Sequence, residues 1–155
     1  MATQTQVTPK TADTEFEPFQ VNVRMKISAL WTAMLFVFAY VDIFGFFRAD
    51  VRADVEAGVV GGFTVNQTFL VATTVYIAIP SLMVFGALVL RPRINRIVNI
   101  VLSIFYALTI IGGAVGEWTY YLLGSAIEVA LLAAIFHYAR TWPTVAPATS
   151  IENPR

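Results

Sequence analysis

A run of 21 mostly apolar residues from Ile27 to Phe47 limits this chain more than any other feature. As a helix rising ~1.5 Å per residue, it would extend about 31 Å, the thickness of a bilayer's hydrocarbon core. Three further runs follow: Phe69 to Leu90, Ile97 to Val115 and Trp118 to Ala139. In lipid a single segment must satisfy its own backbone, which helices do. The runs therefore predict an all-α fold, a four-transmembrane-helix bundle. Composition agrees, because a chain that is 57% hydrophobic and 13% charged is far from the balance of a soluble domain.

The runs use most of the chain and leave no room for a separate soluble domain. The expected organisation is a mobile cytoplasmic tail over 1–26, a four-helix transmembrane domain over 27–140 and a disordered cytoplasmic tail over 141–155. Met1 to Gln20 is rich in Thr, Gln and acids without an apolar period, and Pro143, Pro147 and Pro154 interrupt the other end. A signal peptide is the rival reading of the first run. That run is too long for a signal core, starts after polar residues and lacks a small-x-small cleavage site behind it.

Net charge is zero, but the charges are unevenly placed. If the chain crosses four times, one side carries Lys10, Arg24, Lys26, Arg91, Arg93, Arg96, Arg140 and Arg155, and the other only Arg48 and Arg52. The positive-inside rule then puts both termini in the cytoplasm, in a multi-pass protein of a bacterial inner or plasma membrane. So balanced a chain gives no reason to expect nucleic acid as a partner. There is no cysteine, which excludes disulfides, thiolate chemistry and Cys-based zinc sites. No phosphate-binding glycine loop, nucleophile elbow or HExxH pattern appears, and no cofactor or metal is expected.

The first outer loop admits two readings. Asp50 can cap a short interfacial helix with Val51 and Val55 four apart and Gly58, Gly61 and Gly62 behind it; the alternative is an irregular loop with a strand over Val59 to Val65. Asn66, Gln67 and Thr68 form a sequon that matters only where the outer face is glycosylated. Pro80, in the middle of the second span, removes a backbone hydrogen bond and favours a bend that frees a carbonyl, either as a hinge or as a static kink. Gly112, Gly113 and Gly116 close the third span and are expected to serve close packing. Glu117, Trp118, Tyr120 and Tyr121 mark the outer interface.

Three positions carry candidate chemistry. Asp42 and Glu128 are ionisable groups inside apolar spans, each costing about 2.5 to 3.5 kcal/mol on insertion scales, and such groups normally face a bundle interior or a wet cavity. Helical rise puts them ~8 Å and ~15 Å below the outer boundary. Asp42 falls on a stripe with Trp31, Leu35 and Phe38; Glu128 falls on one with Tyr121, Ser125 and Leu132. The two acids are expected to share one cavity, with Ser125 and Tyr121 beside them and Gly124 admitting a neighbouring helix. They are read as a ligand or proton site, or else as interhelical hydrogen-bonding glue.

The second position is the inner turn, where Arg91, Arg93 and Arg96 with Asn95 and Asn99 suit anionic lipid headgroups, or serve as a topological anchor. His137 is the only histidine and is read as interfacial packing, since it has no partners for a metal site.

Several short patterns together resemble a known family: Leu30 and Trp31, then Tyr40, Val41 and Asp42, Ile79 and Pro80 with Met83, Asn95, Arg96, Asn99 and Ile100, and finally Glu117, Trp118, Tyr120, Tyr121 and Glu128. The chain resembles, over about Lys26 to Trp142, a family of small bacterial four-helix integral-membrane proteins catalogued as a domain of unknown function. The resemblance implies a four-helix bundle with Asp42, Arg96, Asn99 and Glu128 at motif positions, and supplies no activity. Function is expected to be binding or moving a small molecule or proton. The alternatives are an enzyme acting on a lipophilic substrate by carboxylate acid/base chemistry, and an accessory subunit of a membrane complex or a homo-oligomer.

Overall fold

The computed structural model describes residues 20–142. The tail readings on 1–19 and 143–155 lie outside the described residues. Helix α1 (Val23–Gly45) begins ahead of the apolar run because Asn22 caps it, its Oδ1 accepting from the Arg24 amide at 2.9 Å. Helix α2 (Ala49–Glu56) and the strands β1 (Val59–Val60) and β2 (Phe63–Thr64) fill the loop, so it holds both a short helix and a hairpin. Arg48, not Asp50, is the N-cap residue of α2; Asp50 sits in the first turn, where negative charge suits the helix N-terminus. The strands pair antiparallel, Val59 with Thr64 and Val60 with Phe63. Gly61 and Gly62 make the turn with φ of +56° and +82°, the consecutive left-handed pair that a two-residue hairpin needs.

Helix α3 (Gln67–Val89) is capped by Asn66, whose Oδ1 accepts from the Phe69 amide at 2.9 Å. Arg91 and Pro92 turn the chain, with Pro92 at the first position of α4 (Pro92–Gly113), where its missing N–H costs nothing. Helix α5 (Thr119–Arg140) returns after a tight turn through Gly116. A Cβ at Gly112 or Gly116 would meet no neighbour, so those two glycines do not serve close packing. That role belongs to Gly124, where a Cβ would overlap Val41 Cγ2.

Helix α1 packs on α3 and α5, and α5 packs on α4, whereas α3 and α4 touch only sparsely. The core runs through Ile27, Trp31 and Met34 of α1, Met83 and Ala87 of α3, Tyr106 and Ile110 of α4, and Leu132, Ile135 and Ala139 of α5. Trp31 and Tyr106 meet edge to face, with centroids 6.0 Å apart, a contact worth about 0.5 to 1.5 kcal/mol beyond its buried area. The four long helices are each apolar enough to cross a membrane. Their exteriors are greasier than their seams: Phe36, Leu82, Phe85, Leu108 and Leu123 all point outward. Such an exterior exceeds what a water-soluble monomer carries and is consistent with a multi-pass membrane protein.

Pro80 shows how the core handles a polar fault. It lies inside α3 and is buried, so the carbonyl four residues earlier, on Tyr76, loses its helical donor. The Tyr106 hydroxyl donates to that oxygen at 2.7 Å. The expected freed carbonyl is thus the Tyr76 carbonyl, and α4 satisfies it.

Candidate functional site

Glu128 lies on the bundle-facing stripe of α5. Ser125 is 6% exposed, Glu128 3% and Leu132 1%, as their spacing requires. Val41 against Gly124 brings the α1 and α5 backbones close just ahead of it. Glu128 makes no hydrogen bond or ion pair to the described residues. Its carboxylate oxygens nevertheless keep some accessible surface, because no fully enclosed side-chain oxygen or nitrogen there lacks a partner.

Asp42 sits one turn beyond Phe38, which packs against Tyr76 of α3 at 6.3 Å, and next to Val41, which lies against Gly124 of α5. Its stripe therefore faces the space between α3 and α5. Unlike Glu128, Asp42 is exposed, which corrects the expectation of two enclosed acids. Tyr40, Ile43 and Phe44 around it are exposed too, so this end of α1 is covered only along Val41 and Gly45. Asp42 also lacks a partner among the described residues. The two acids lie near enough for their charges to interact, and the phenols of Tyr76 and Tyr121 lie within the field of both.

A cleft of about 660 Å³ opens beneath the hairpin, walled by Phe63, Thr64, Phe69, Ala72, Thr73 and Tyr76. Neither acid lines it. Tyr76 is the shared wall: its ring faces the cleft, and its hydroxyl shares a 2.7 Å hydrogen bond with Thr109 of α4. Sequence reasoning missed Tyr76, although its place four residues before Pro80 was a usable signal.

The inner-turn cluster divides. Arg91, Arg93 and Arg96 are exposed, but Asn95 and Asn99 are 0% exposed and cannot meet a headgroup. Trp31 Nε1 donates to Asn99 Oδ1 at 2.7 Å, Asn99 Nδ2 donates to Asn95 Oδ1 at 2.6 Å, and Asn95 Nδ2 donates to the Ala87 carbonyl at 2.6 Å. Ala87 lies in the last turn of α3, whose carbonyls have no intrahelical donor, so Asn95 caps that helix from α4. Arg24 does the same for the Leu88 carbonyl at 2.5 Å. His137 is exposed and edge-on to Tyr138.

At the hairpin end, Arg48 clamps two turns together. Its guanidinium donates to Asp50 at 2.6 and 3.2 Å and to Glu117 at 2.6 Å, and lies 4.6 Å from the Trp118 ring. Hydrogen bonds to Asp50 and Glu117 raise its pKa above the usual guanidinium value, and Arg48 in turn holds the Asp50 carboxyl below its ordinary value. The sequence placed Arg48 only as one of two outer cations; its partner 69 residues away has no local signature.

No curated protein and no solved structure matches the chain. A family model described as a family of unknown function matches residues 15–149, which takes in all four long helices, both acids and the asparagine network. The chain therefore belongs to DUF6326, a family of unknown function.

Proposed function

We propose that this is a multi-pass protein of the bacterial cytoplasmic membrane, with both termini inside, that binds or moves a small molecule or a proton through Asp42 and Glu128. One observation carries the reading: Glu128 is 3% exposed and has no partner among the described residues. An ionisable group at membrane depth costs about 2.5 to 3.5 kcal/mol to insert. A structural carboxylate would recover part of that through hydrogen bonds, and this one makes none. Replacing Asp42 by Asn and Glu128 by Gln, with metabolites and lipids identified on the purified protein and flux followed in proteoliposomes, tests it. Loss of a co-purifying ligand or of flux is expected; unchanged binding and transport with unchanged stability would end the reading.

A second reading concerns the other end. Arg91, Arg93 and Arg96 are exposed together on one turn, which suits anionic headgroups of the surrounding lipid. Neutralising Arg93 and Arg96 is expected to abolish selective retention of anionic lipid. Equal retention by the double variant would remove it.

A further inference from the structure

We infer that this chain's own acidic stretch over residues 13–17 docks on the arginine face at the Arg91 end of the bundle, where it competes with anionic lipid headgroups. The docking stands whether or not the headgroup reading of those arginines does.

Charge carries the inference. Six cations gather at that end: Arg24 and Lys26 at the start of α1, Arg91, Arg93 and Arg96 at the α3–α4 turn, and Arg140 at the close of α5. No acid among the described residues joins them. Asp42, Asp50, Asp54, Glu56, Glu117 and Glu128 all lie in the hairpin half, and both ion pairs among the described residues belong to Arg48 there. Arg24 is engaged with the Leu88 carbonyl and the Trp142 ring, and Lys26 with the Tyr138 ring. Arg91, Arg93, Arg96 and Arg140 are exposed and make no ion pair to the described residues. Like charges so concentrated repel one another and favour an acidic partner. The chain holds four further acids, Asp13, Glu15, Glu17 and Glu152, and the first three fall within five residues on the segment that leads into α1.

Reach and spacing agree. Arg24 Nη1 meets the Leu88 carbonyl at 2.5 Å, three residues ahead of Arg91, so the chain enters α1 at the foot of the arginine turn. Glu17 precedes Val23 by six residues and Asp13 by ten. At about 3.5 Å per residue these acids reach roughly 21 and 35 Å from the helix start. Bound in extended form, alternate residues share a side, so the three carboxylates would line up over about 13 Å. Pro18 suits that form, because the residue before a proline avoids the helical region. Exposed ion pairs are individually weak. The tether compensates, since a short linker supplies an effective concentration in the millimolar range. Anionic headgroups offer the same charge to the same guanidiniums, and the two exclude each other.

The test uses the full chain in nanodiscs of zwitterionic lipid. With no cysteine in the sequence, spin labels can be placed cleanly at Thr14→Cys and Ile94→Cys. A narrow distance distribution is expected at low salt. It should broaden about twofold or more in 1 M salt, where the screening length is about 3 Å. Asp13→Asn/Glu15→Gln/Glu17→Gln and Arg93→Gln/Arg96→Gln should each broaden it as much, while a frame pair at Ile94→Cys and Thr141→Cys holds its distance. In mixed lipid, the triple acid variant is expected to retain about threefold more anionic lipid than the parent. A distribution equally broad in parent and triple acid variant at low salt overturns the inference. So does a narrow one that neither salt nor charge removal moves, because the contact is then apolar. The two readings fail separately: a narrow, salt-sensitive distribution with no selective lipid retention in any variant keeps the docking and removes the headgroups. Selective retention lost in Arg93→Gln/Arg96→Gln, with a broad distribution throughout, keeps the headgroups and removes the docking.

Discussion

The two ends of this bundle treat buried polarity in opposite ways. At the Arg91 end, Trp31, Asn99, Asn95 and Ala87 form an unbroken chain of hydrogen bonds through α1, α4 and α3. At the hairpin end, Glu128 is buried and Asp42 exposed, and neither has a partner among the described residues. Where helix exteriors are as apolar as their surroundings, hydrophobic burial between helices supplies little, and packing with hydrogen bonds holds the bundle. The asparagine end supplies those bonds. The carboxylates make none to the described residues.

Stability measurements on matched variants would break that comparison most directly. Replacing Asn99 by Leu removes three hydrogen bonds at once and strands Trp31 Nε1 in a dry core. Membrane hydrogen bonds average only about 0.6 kcal/mol, but three of them plus an orphaned buried donor should cost about 2 to 3 kcal/mol. Glu128→Gln loses no partner and should stay within about 0.5 kcal/mol of the parent. Reversible unfolding in one detergent gives both values. A Glu128→Gln cost matching that of Asn99→Leu would make the acid structural and erase the contrast.

Two smaller substitutions sharpen the view of what holds the hairpin half, where the two acids supply no bond to the described residues. Gly124→Ala drives a methyl into Val41 Cγ2, an overpacking that should cost about 1 to 2 kcal/mol. Val41→Ala in the same chain should restore most of the loss, and failure of that rescue would show that the α1–α5 approach is set elsewhere. Tyr106→Phe leaves the tilted ring contact with Tyr76 but strips the donor from the Tyr76 carbonyl; about 1 kcal/mol should be lost. A Pro80→Ala partner separates the causes, because it restores the helical amide and should make Tyr106→Phe nearly silent.

Much of this was legible beforehand, for reasons that differ by residue. The four spans follow from length and hydropathy, and the inward placement of Ser125 and Glu128 follows from helical spacing, both local properties. Spacing puts Asn95 and Asn99 on one face, as found, but does not say that this face is buried. Their neighbours at Arg93 and Arg96 suggest a lipid surface, whereas the carbonyl that claims Asn95, that of Ala87, belongs to the end of another helix. The exposure of Asp42 has a similar cause: periodicity places it toward the bundle, but how much of this end of α1 its neighbours cover is a tertiary fact. Arg48 and Tyr76 act through partners distant in sequence, and only the Pro80 offset pointed toward one of them.

The smallest expected effect concerns the Arg48 clamp, which is polar and satisfied like the asparagine network but lies in the connecting turns at the hairpin end. Its Asp50 carboxyl has a folded pKa below the ordinary 3.8, so the folded state binds the proton less readily than the unfolded chain does. Stability from this contact is therefore complete above pH 3.8 and is lost as pH falls through the lower folded value. Asp50 and α2 are exposed, and solvent screens such pairs, so the consequence is local loosening and not global unfolding. Hydrogen exchange over 49–56 should quicken in acid relative to α1, and Asp50→Asn should be equally fast at neutral pH and lose the acid response. If α2 exchange stays flat in the parent down to pH 3, or falls in step with the core, the clamp does not hold α2. The contrast between the two ends would then rest on the buried residues alone.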